Sequence, residues 1–272
     1  MPKKVIVTGA SGFLGSALCQ HLTDAGYRPV PLTRAQYNLE GGVDAAFLHD
    51  AYAVVHCAWD MSAQNKNVQG SLTLSRACRE KGVQFIFISS MAAHEAARST
   101  YGRTKLEVER GLGTQDCIIK PGTIIGNGGL FLRTLRLAQT LPALPLFYKK
   151  TAKLQTIYVD DLCQAIVHAV EHRSSGSFAI AHKDTVSIQD FYTKIAALSG
   201  KHPWLVSMPG SIALLVTRCA EMLGLRLPIT SDNLLGLKYI HYFDTQESCK
   251  ALNINPLSFD ESLKLLVLPA RE

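Results

Sequence analysis

The sequence predicts an α/β fold: a doubly wound, mainly parallel sheet with helices on both faces, followed by a small, mostly helical C-terminal lobe. Three observations lead to this prediction. Short apolar runs alternate with longer helix-like stretches up to about residue 182, a glycine-rich turn separates the first run from the first stretch, and the alternation loosens beyond Pro121. Parallel neighbouring strands need crossover connections, which the helix-like stretches supply.

The alternating part contains strand-like runs and helix-like stretches of ordinary length. The predicted strands are Val5–Thr8, Arg28–Leu32, Ala51–Cys57, Phe85–Ser89, Cys117–Lys120 and Ser177–Ala181. The predicted helices are 13–25, 64–81, 101–112 and 161–172. Strands that alternate with helices in this way are typical of parallel βαβ units. We therefore expect residues 1–125, with 156–182 returning to them, to form one domain.

The C-terminal part is predicted to be a lobe made of 126–155 and 183–272. Helices are expected near 130–139, at 187–199, at 209–224 and near 258–267, with a proline-containing loop at 141–147 and polar loops after 224. Such a lobe covers the carboxyl ends of the strands, where ligands bind in these sheets. Residues 212, 215, 216, 219, 222 and 223 form an apolar helical stripe, for which we expect core packing, with docking to a membrane or partner as the alternative.

The bulk properties describe an ordinary globular protein. With 272 residues, 47% hydrophobic and 18% charged, the chain suits one large domain or a domain with an appendage. Lys3 and Lys4 lead directly into a strand, unlike a signal peptide, and the best span candidate, 204–224, contains Pro209, Arg218 and Glu221. We expect a cytoplasmic protein without a membrane span.

The cysteines and the charges exclude some classes of site. Seven cysteines are scattered without close pairs or ligand-like spacing, so we expect reduced, mostly buried thiols, no disulfide framework and no metal site. The net charge is +6, with a local basic set at Arg133, Arg136, Lys149, Lys150 and Lys153. Aromatic residues do not interleave with this set, so we expect no nucleic-acid partner. A pocket for an anionic small molecule and a solvated basic face both remain open.

The segment Val5–Gly15 has the pattern of a strand, a tight turn and a helix N-terminus. Gly9, Gly12 and Gly15 are spaced by three residues and precede the amphipathic helix-like run that begins at Phe13 and Leu14. Glycines in this context make the turn, let backbone amides approach a pyrophosphate and let the helix pack closely on the strand. We predict a dinucleotide-binding turn that includes Ser11.

Several segments, in order, resemble the extended branch of the short-chain dehydrogenase/reductase superfamily, the sugar epimerase/dehydratase-like enzymes. They are Thr8–Gly15, Val54–Ala58, Asn67–Ser71, Phe85–Ser90, Tyr101–Lys105, Lys120–Gly122 and Tyr158–Leu162. The resemblance implies a Rossmann-type dinucleotide-binding domain and an NAD(P)-dependent oxidoreductase or epimerase. It also suggests a homodimer formed through the helices that match 64–81 and 101–112.

Tyr101 and Lys105 are four residues apart and so share one face of a helix. A free phenol has a pKa near ~10, and a nearby cation favours its ionised form. Tyr101 would then exchange a proton with a substrate oxygen, with Lys105 lowering its pKa. The resemblance also implies that Lys105 binds the nicotinamide ribose and that Ser90, at the end of a predicted strand, orients the substrate carbonyl.

The choice of cofactor depends on the end of the second strand, where an acidic residue suits NAD and an arginine suits NADP. The sequence here is Leu32-Thr33-Arg34, so we predict NADP in preference to NAD, with Arg34 as the determinant. The remaining candidates follow from the resemblance. Cofactor-binding residues are Phe13, Leu14, Thr33, Asn38, Leu39, Cys57, Ala58, Trp59, Tyr101, Lys105, Lys120, Pro121 and Gly122, and substrate-binding residues are Ser90, Met91, Arg133 and Arg136.

The substrate is less well defined than the chemistry. Ser90 and Tyr101 are closer in sequence than is usual in the sugar-nucleotide enzymes, and Pro121-Gly122 replaces the asparagine typical of hexose 4-epimerases. Our leading hypothesis is action at a secondary alcohol or ketone of a nucleotide-activated sugar. The alternatives are a reductase of a non-sugar carbonyl compound, resembling steroid and flavonoid reductases, and a redox-silent NADP-binding subunit or sensor.

Overall fold

The computed structural model describes residues 1–33, 36–39, 42–43, 45–148, 152–201, 203–225 and 227–266. The strands of this part are β1 Lys4–Thr8, β2 Arg28–Leu32, β3 Tyr37–Asn38, β4 Gly42–Val43, β5 Ala51–His56, β6 Gln84–Ile88, β7 Cys117–Pro121, β8 Thr123–Ile125, β9 Ala143–Phe147, β10 Lys153–Tyr158, β11 Gly176–Ile180, β12 Thr185–Ser187 and β13 Trp204–Met208. The helices are α1 Phe13–Asp24, α2 Gln64–Glu80, α3 Thr100–Gly111, α4 Gly129–Thr140, α5 Val159–Glu171, α6 Ile188–Leu198, α7 Gly210–Met222, α8 Ser231–Lys238, α9 Gln246–Ala251 and α10 Phe259–Lys264, with a 3-10 helix at Ala45–Leu48.

The central sheet is parallel and has the strand order β2-β1-β5-β6-β7-β11. This confirms the predicted α/β fold and its six predicted strands, each within one residue at either end. From β1 the chain passes outward to β2, and it then returns to β5 on the other side of β1. The carboxyl ends of β1 and β5 therefore border the crevice in which open α/β sheets bind their ligands.

The two faces of the sheet are covered by different helices because successive strand residues point to opposite sides. Val5 and Val7 of β1 pack with α1 and α5, whereas Ile6 packs with α2 and α3. All three side chains are fully buried. The predicted helices of this part are confirmed, and their bounds differ from the prediction by no more than two residues.

The C-terminal part has its own apolar clusters and two short sheets, β12-β10-β8 and β13-β9. Phe131 of α4, Phe191 of α6 and Phe259 of α10 are buried in one cluster, and the last two rings are stacked with their centres 5.3 Å apart. The helices predicted near 130–139, at 187–199, at 209–224 and near 258–267 are confirmed as α4, α6, α7 and α10. The boundaries of the two predicted domains stay a prediction.

Two loop predictions in this part were wrong. The segment 141–147 contains strand β9, which pairs in parallel with β13 and buries Leu144, Leu146 and Phe147. Pro145 is compatible with a strand because this sheet has only two strands, so an edge is available. The polar region after 224 contains α8 and α9, and α8 begins with a capping box formed by Thr230 and Asn233.

The expected core packing of the α7 stripe was also wrong. The buried residues of α7 are Ala213, Thr217 and Ala220, which lie on the side of the helix next to the stripe. The residues at 212, 215, 216, 219, 222 and 223 are exposed. The pattern locates an apolar face correctly, but it does not show whether protein covers that face.

All seven cysteines lie in described segments and are free thiols, and four of them are buried. Among the described helices, none combines the length and the apolar character needed to cross a bilayer.

Candidate active site

The turn after β1 is tight because its glycines leave no room for side chains. Gly9 has φ +67°, and a Cβ built on it would lie 2.7 Å from the Ala58 backbone nitrogen. A Cβ on Gly15 would lie 2.3 Å from the Gly9 carbonyl oxygen. That oxygen accepts a hydrogen bond from the Gly12 amide at 2.9 Å. The turn therefore brings backbone, without side chains, to the β1/β5 crevice.

Helix α1 begins at this turn, with Gly12 at its N-cap position. The first turn of α1 contains no acidic residue. The amides at a helix N-terminus lack partners within the helix and carry the positive end of its dipole. A glycine N-cap offers no side-chain oxygen to these amides. The predicted binding residues Gly9, Ser11–Leu14 and Gly15 thus form a cradle that fits a dinucleotide pyrophosphate.

The carboxyl ends of three neighbouring strands bring the remaining candidates to one edge of the sheet. Cys57–Trp59 follow β5, Ser90 and Met91 follow β6, and Lys120–Gly122 end β7 or follow it directly. The Ser90 hydroxyl hydrogen-bonds the Tyr101 phenol, which lies on α3. Gly102 permits this approach of α3, since a Cβ there would lie 2.2 Å from the Ala92 carbonyl oxygen.

Lys105 lies one helical turn after Tyr101 and is buried. Its Nζ donates a hydrogen bond to the Ile88 carbonyl oxygen at 2.6 Å and lies 3.7 Å from the centre of the Trp59 ring. The Tyr101 ring centre is 6.0 Å from the same Nζ, and the Trp59 and Tyr101 rings meet edge to face. Burial lowers the pKa of Lys105 to about 7.

The expected pKa shift of Tyr101 has the opposite sign. We expected the Lys105 ammonium to lower the pKa of the phenol, but burial raises it, and only the hydrogen bond with Ser90 acts in the lowering direction. The cause is desolvation, which disfavours the charged phenolate and outweighs the local polar contacts. The Tyr101 phenol is therefore neutral, and a proton donor, at neutral pH.

The Lys120 side chain contacts other residues of the protein and does not face a ligand. Its Nζ binds the Ala93 carbonyl oxygen at 2.7 Å and Glu109 Oε2 at 2.8 Å. The hydroxyl of Ser89 donates to the other oxygen of Glu109. The ion pair is almost entirely buried and ties α3 to the ends of β6 and β7. Pro121 and Gly122, by contrast, line the cavity described below.

The N-terminus of α3 has two acceptors. The Ser99 hydroxyl accepts from the Gly102 amide at 3.1 Å. The carboxylate of Asp232, on α8, accepts from the Thr100 amide at 2.5 Å and the Tyr101 amide at 3.3 Å. A residue of the C-terminal part therefore completes the cap of the helix that carries Tyr101 and Lys105.

A cavity of about 1030 Å³ lies between the strand ends and the C-terminal part. Its floor holds the candidate catalytic side chains, with Phe13, Cys57, Trp59 and Met91 around them. Its walls are mostly aliphatic and aromatic. They include Leu137, Leu144, Phe147, Phe191, Met208, Ala213, Val216, Ile229, Leu235, Leu237 and Ile240. The lining is therefore mostly apolar, with polar side chains at the candidate catalytic residues and also at Arg133, Gln155 and Asp232.

The predicted basic residues are divided between two places. Arg133 lines the cavity, where its guanidinium donates to the Pro228 carbonyl oxygen. Arg136 does not line it, and instead borders a smaller depression on the outer side of α4. The substrate role expected of Arg136 is thus not supported by its position. Lys149 and Lys150 lie outside the described residues.

The adenosine end of the predicted cofactor site is described only in part. The Thr33 amide and hydroxyl both bond Gln36 Oε1, at 3.1 and 3.0 Å. Leu39 packs with the α2 side of the core, and its backbone lies against Gly70. Asn38 belongs to the short strand β3. Arg34, the predicted NADP determinant, lies outside the described residues.

The sequence prediction missed Glu109, Asp232 and the histidine pair His94–His241, whose rings stack 5.2 Å apart in the cavity wall. Only Glu109 had a local signal, because it lies one helical turn after Lys105. His56, the last residue of β5, is fully buried and hydrogen-bonds the Thr8 and Ser71 hydroxyls. Within the described residues, no cluster of three or more His, Cys, Asp or Glu side chains could hold a metal ion.

Comparison with known proteins gives a consistent assignment. The sequence model of the NAD dependent epimerase/dehydratase family matches residues 5–181. A ceramide reductase of Caulobacter vibrioides is 27% identical over 237 residues, covering 75% of this chain and 73% of that protein. A UDP-glucose 4-epimerase of Vibrio cholerae is 24% identical over 261 residues, covering 77% and 80%.

A solved structure shows the same fold. The dTDP-4-dehydrorhamnose reductase of Bacillus anthracis, in complex with NADP, superposes with a TM-score of 0.65 at 17% identity, over 88% of this chain and 98% of that one.

Proposed function

The chain belongs to the NAD dependent epimerase/dehydratase family and is an NAD(P)-dependent enzyme of the epimerase and reductase type. We propose that it reduces a ketone on a substrate with a long apolar portion. The observation that carries the proposal is the cavity of about 1030 Å³, with its polar floor at Ser90 and Tyr101 and its apolar walls. The proposed activity is that of a reductase of a non-sugar carbonyl compound, one of the alternatives that the sequence leaves open.

The residues at the floor have the properties that ketone reduction needs. A bound nicotinamide dinucleotide supplies hydride transfer to the carbonyl carbon. The Tyr101 phenol, neutral because burial raises its pKa, gives its proton to the carbonyl oxygen, and that oxygen becomes the alcohol. The Ser90 hydroxyl, already bonded to the phenol, fixes the position of the carbonyl.

Lys105 has a supporting role in this proposal. When Tyr101 gives up its proton, an ammonium on the same helix face stabilises the phenolate that remains, until the phenol is reprotonated from solvent. The same ammonium is placed to bind a cofactor ribose, as the family resemblance implies. Its position over Trp59 and its bond to the Ile88 carbonyl hold it at the floor of the cavity.

The cavity walls favour an apolar substrate. A polar or charged group buried against aliphatic walls without hydrogen-bond partners loses its hydration, whereas each methylene buried there gains about 0.8 kcal/mol. One relative of this chain is named as a ceramide reductase, and this name is consistent with an apolar substrate. In this proposal the alkyl chain of the substrate lies against these walls, with its carbonyl at Ser90.

A nucleotide-activated sugar is the second candidate. Arg133 lines the cavity and offers a guanidinium to a diphosphate, and relatives of this chain are named as acting on such sugars. The competing observation is that the Arg133 guanidinium already donates to a carbonyl oxygen of the protein.

For the cofactor we propose NADPH. In the sequence, β2 is followed directly by Thr33 and Arg34 and not by an acidic residue, and an arginine at this point of the sequence suits a 2′-phosphate. Changing Arg34 to Ala should raise the Kd for NADPH by about tenfold or more and leave the Kd for NADH unchanged. Equal losses for both cofactors would contradict this role of Arg34. The homodimer and the cytoplasmic location stay predictions.

The test of the substrate class is NADPH oxidation with a series of ketones of increasing alkyl length. We expect kcat/KM to rise by up to about fourfold for each methylene that the cavity buries, until the chain outgrows it. The Tyr101→Phe variant is the blank for uncatalysed oxidation. Turnover of a UDP-, dTDP- or GDP-sugar, together with no turnover of any ketone in the series, would overturn the apolar-substrate proposal in favour of the second candidate.

A further inference from the structure

Helix α7 exposes a continuous apolar face. Leu215, Met222 and Leu223 are 64%, 84% and 77% exposed. Ile212 lies one turn before Leu215, Val216 lies two turns before Leu223, and both are exposed as well. The adjacent side of the helix, with Ala213 and Thr217, is buried. Monomeric proteins rarely expose contiguous apolar patches of this kind without a binding function.

Strand β13, which leads into α7, also exposes apolar side chains. Trp204 is 79% exposed, and Val206 lies two residues further along and therefore on the same side of the strand. We name the combined region the α7–β13 surface and define it by Trp204, Ile212, Leu215, Val216, Met222 and Leu223.

This surface is continuous with the mouth of the cavity. Val216 belongs to both, since it lines the cavity and is also exposed. Leu130 and Leu227 likewise line the cavity and reach solvent. An apolar molecule can therefore pass from the α7–β13 surface to the cavity without crossing a polar rim at these positions.

Cations accompany the apolar side chains. Arg218 is exposed on α7 between Leu215 and Met222, so it lies on the same face. Lys201 precedes β13, and Arg133 reaches the Pro228 carbonyl beside the cavity mouth. The nearby carboxylates of Glu221 and Asp232 accept hydrogen bonds from Ser231 and from the start of α3, respectively. The chain as a whole carries a net charge of +6.

We propose that the α7–β13 surface docks on an anionic lipid bilayer, and that the substrate enters the cavity from that bilayer. Exposed Leu and Met side chains, a Trp and flanking Arg and Lys are the combination with which a protein surface binds the interface of an anionic membrane. A second copy of the chain bound here would close the mouth of the cavity to substrate. A bilayer bound here can itself supply an apolar substrate, and this difference favours the bilayer. The passage of substrate rests on the proposed function, whereas the docking does not.

The test is cosedimentation of the full chain with vesicles of phosphatidylcholine alone and of phosphatidylcholine with phosphatidylglycerol. We expect binding to the anionic vesicles that weakens as salt rises. The triple variant Leu215→Ser, Met222→Ser, Leu223→Ser removes only exposed side chains that do not line the cavity, and it should bind at least about tenfold more weakly. Leu265→Ser, at a residue 53% exposed beyond α10, is the matched control and should bind like the unchanged chain.

Other results would overturn the docking proposal. One is that the wild-type protein does not sediment with anionic vesicles. Another is that the triple variant binds the vesicles as well as the control does. A third is that light scattering shows a wild-type dimer that the triple variant does not form. An unchanged melting temperature shows that the variant is folded. Reduction of a short, water-soluble ketone without vesicles reports on the proposed function separately, and the triple variant should retain it in full.

Discussion

The Lys105 ammonium lies 3.7 Å from the centre of the Trp59 ring and 4.6 Å from that of Phe87, with the Ile88 carbonyl oxygen 2.6 Å away. Two ring faces and one carbonyl dipole favour a cation here. They do not replace the hydration lost on burial, so the pKa of Lys105 falls from 10.5 to about 7. A buried lysine that titrates near neutral pH is characteristic of functional sites.

Lys105 should make stability depend on pH between about 7 and 10. In this window the unfolded chain holds a proton on Lys105 that the folded chain has released, so the free energy of unfolding rises with pH. Below about pH 7 both states hold the proton, and this contribution levels off at its lowest value. Lys105→Met should remove this part of the slope, worth up to a few kcal/mol over the window at about 1.4 kcal/mol per unit of pKa shift. Urea unfolding of both proteins at two values of pH, one near 7 and one below 9, measures the difference. Parallel slopes would contradict the shifted pKa.

Tyr101→Phe should remove the proton donor and leave the cavity intact. We expect kcat to fall by about 10²–10⁴-fold. The melting-temperature shift that NADPH produces should be unchanged, because the cofactor cradle is made of backbone at Gly9–Gly15. Ser90→Ala, which removes only the partner of the phenol, should cost less. An active Tyr101→Phe protein would exclude Tyr101 as the donor.

Gly9 and Gly82 form a matched pair, since both have φ +67°. At Gly82 a Cβ meets nothing within 4 Å, so Gly82→Ala should cost only the backbone strain, about 1–2 kcal/mol. Gly9→Ala adds a clash with the Ala58 backbone and should cost clearly more, with weaker NADPH binding in addition. Urea midpoints and NADPH titration give both quantities. Similar costs at the two positions would show that the close packing of the turn is unimportant.

The Glu109–Lys120 ion pair should matter more than its surface counterpart on the same helix. Lys120→Met leaves a buried carboxylate without its cation and should cost about 3–5 kcal/mol. Adding Glu109→Gln should restore most of that loss. Arg110→Met breaks the exposed pair with Glu95 and should cost about 0–1 kcal/mol. A double variant as unstable as Lys120→Met would show that the loss does not come from an unpaired charge.

The fold and the floor of the site could be predicted because their signals are local. Val5–Gly15 shows a strand, a turn and a helix within eleven residues, and Ser90 ends a strand-like run. In a parallel sheet the ends of such runs meet at one edge, which brings Ser90 close to the crevice without further information. The spacing of Tyr101 and Lys105 depends only on helical geometry.

The rest could not be predicted because it depends on burial or on distant contacts. Asp232 caps a helix that lies 131 residues earlier than itself, and no local pattern marks that pairing. The sign of the Tyr101 shift follows from desolvation, which is a property of the folded environment and not of the Tyr-Lys spacing. The apolar stripe of α7 has the same sequence pattern whether protein or another phase covers it.

The carboxylate of Asp232 has a consequence for attempts to recombine this enzyme with its relatives. Since a side chain of the C-terminal part caps the first turn of α3, the C-terminal part is not an interchangeable module. A chimaera that takes its C-terminal part from another protein must place a hydrogen-bond acceptor at the position of the Asp232 carboxylate. Without it, the Thr100 and Tyr101 amides at the start of α3 lose this partner.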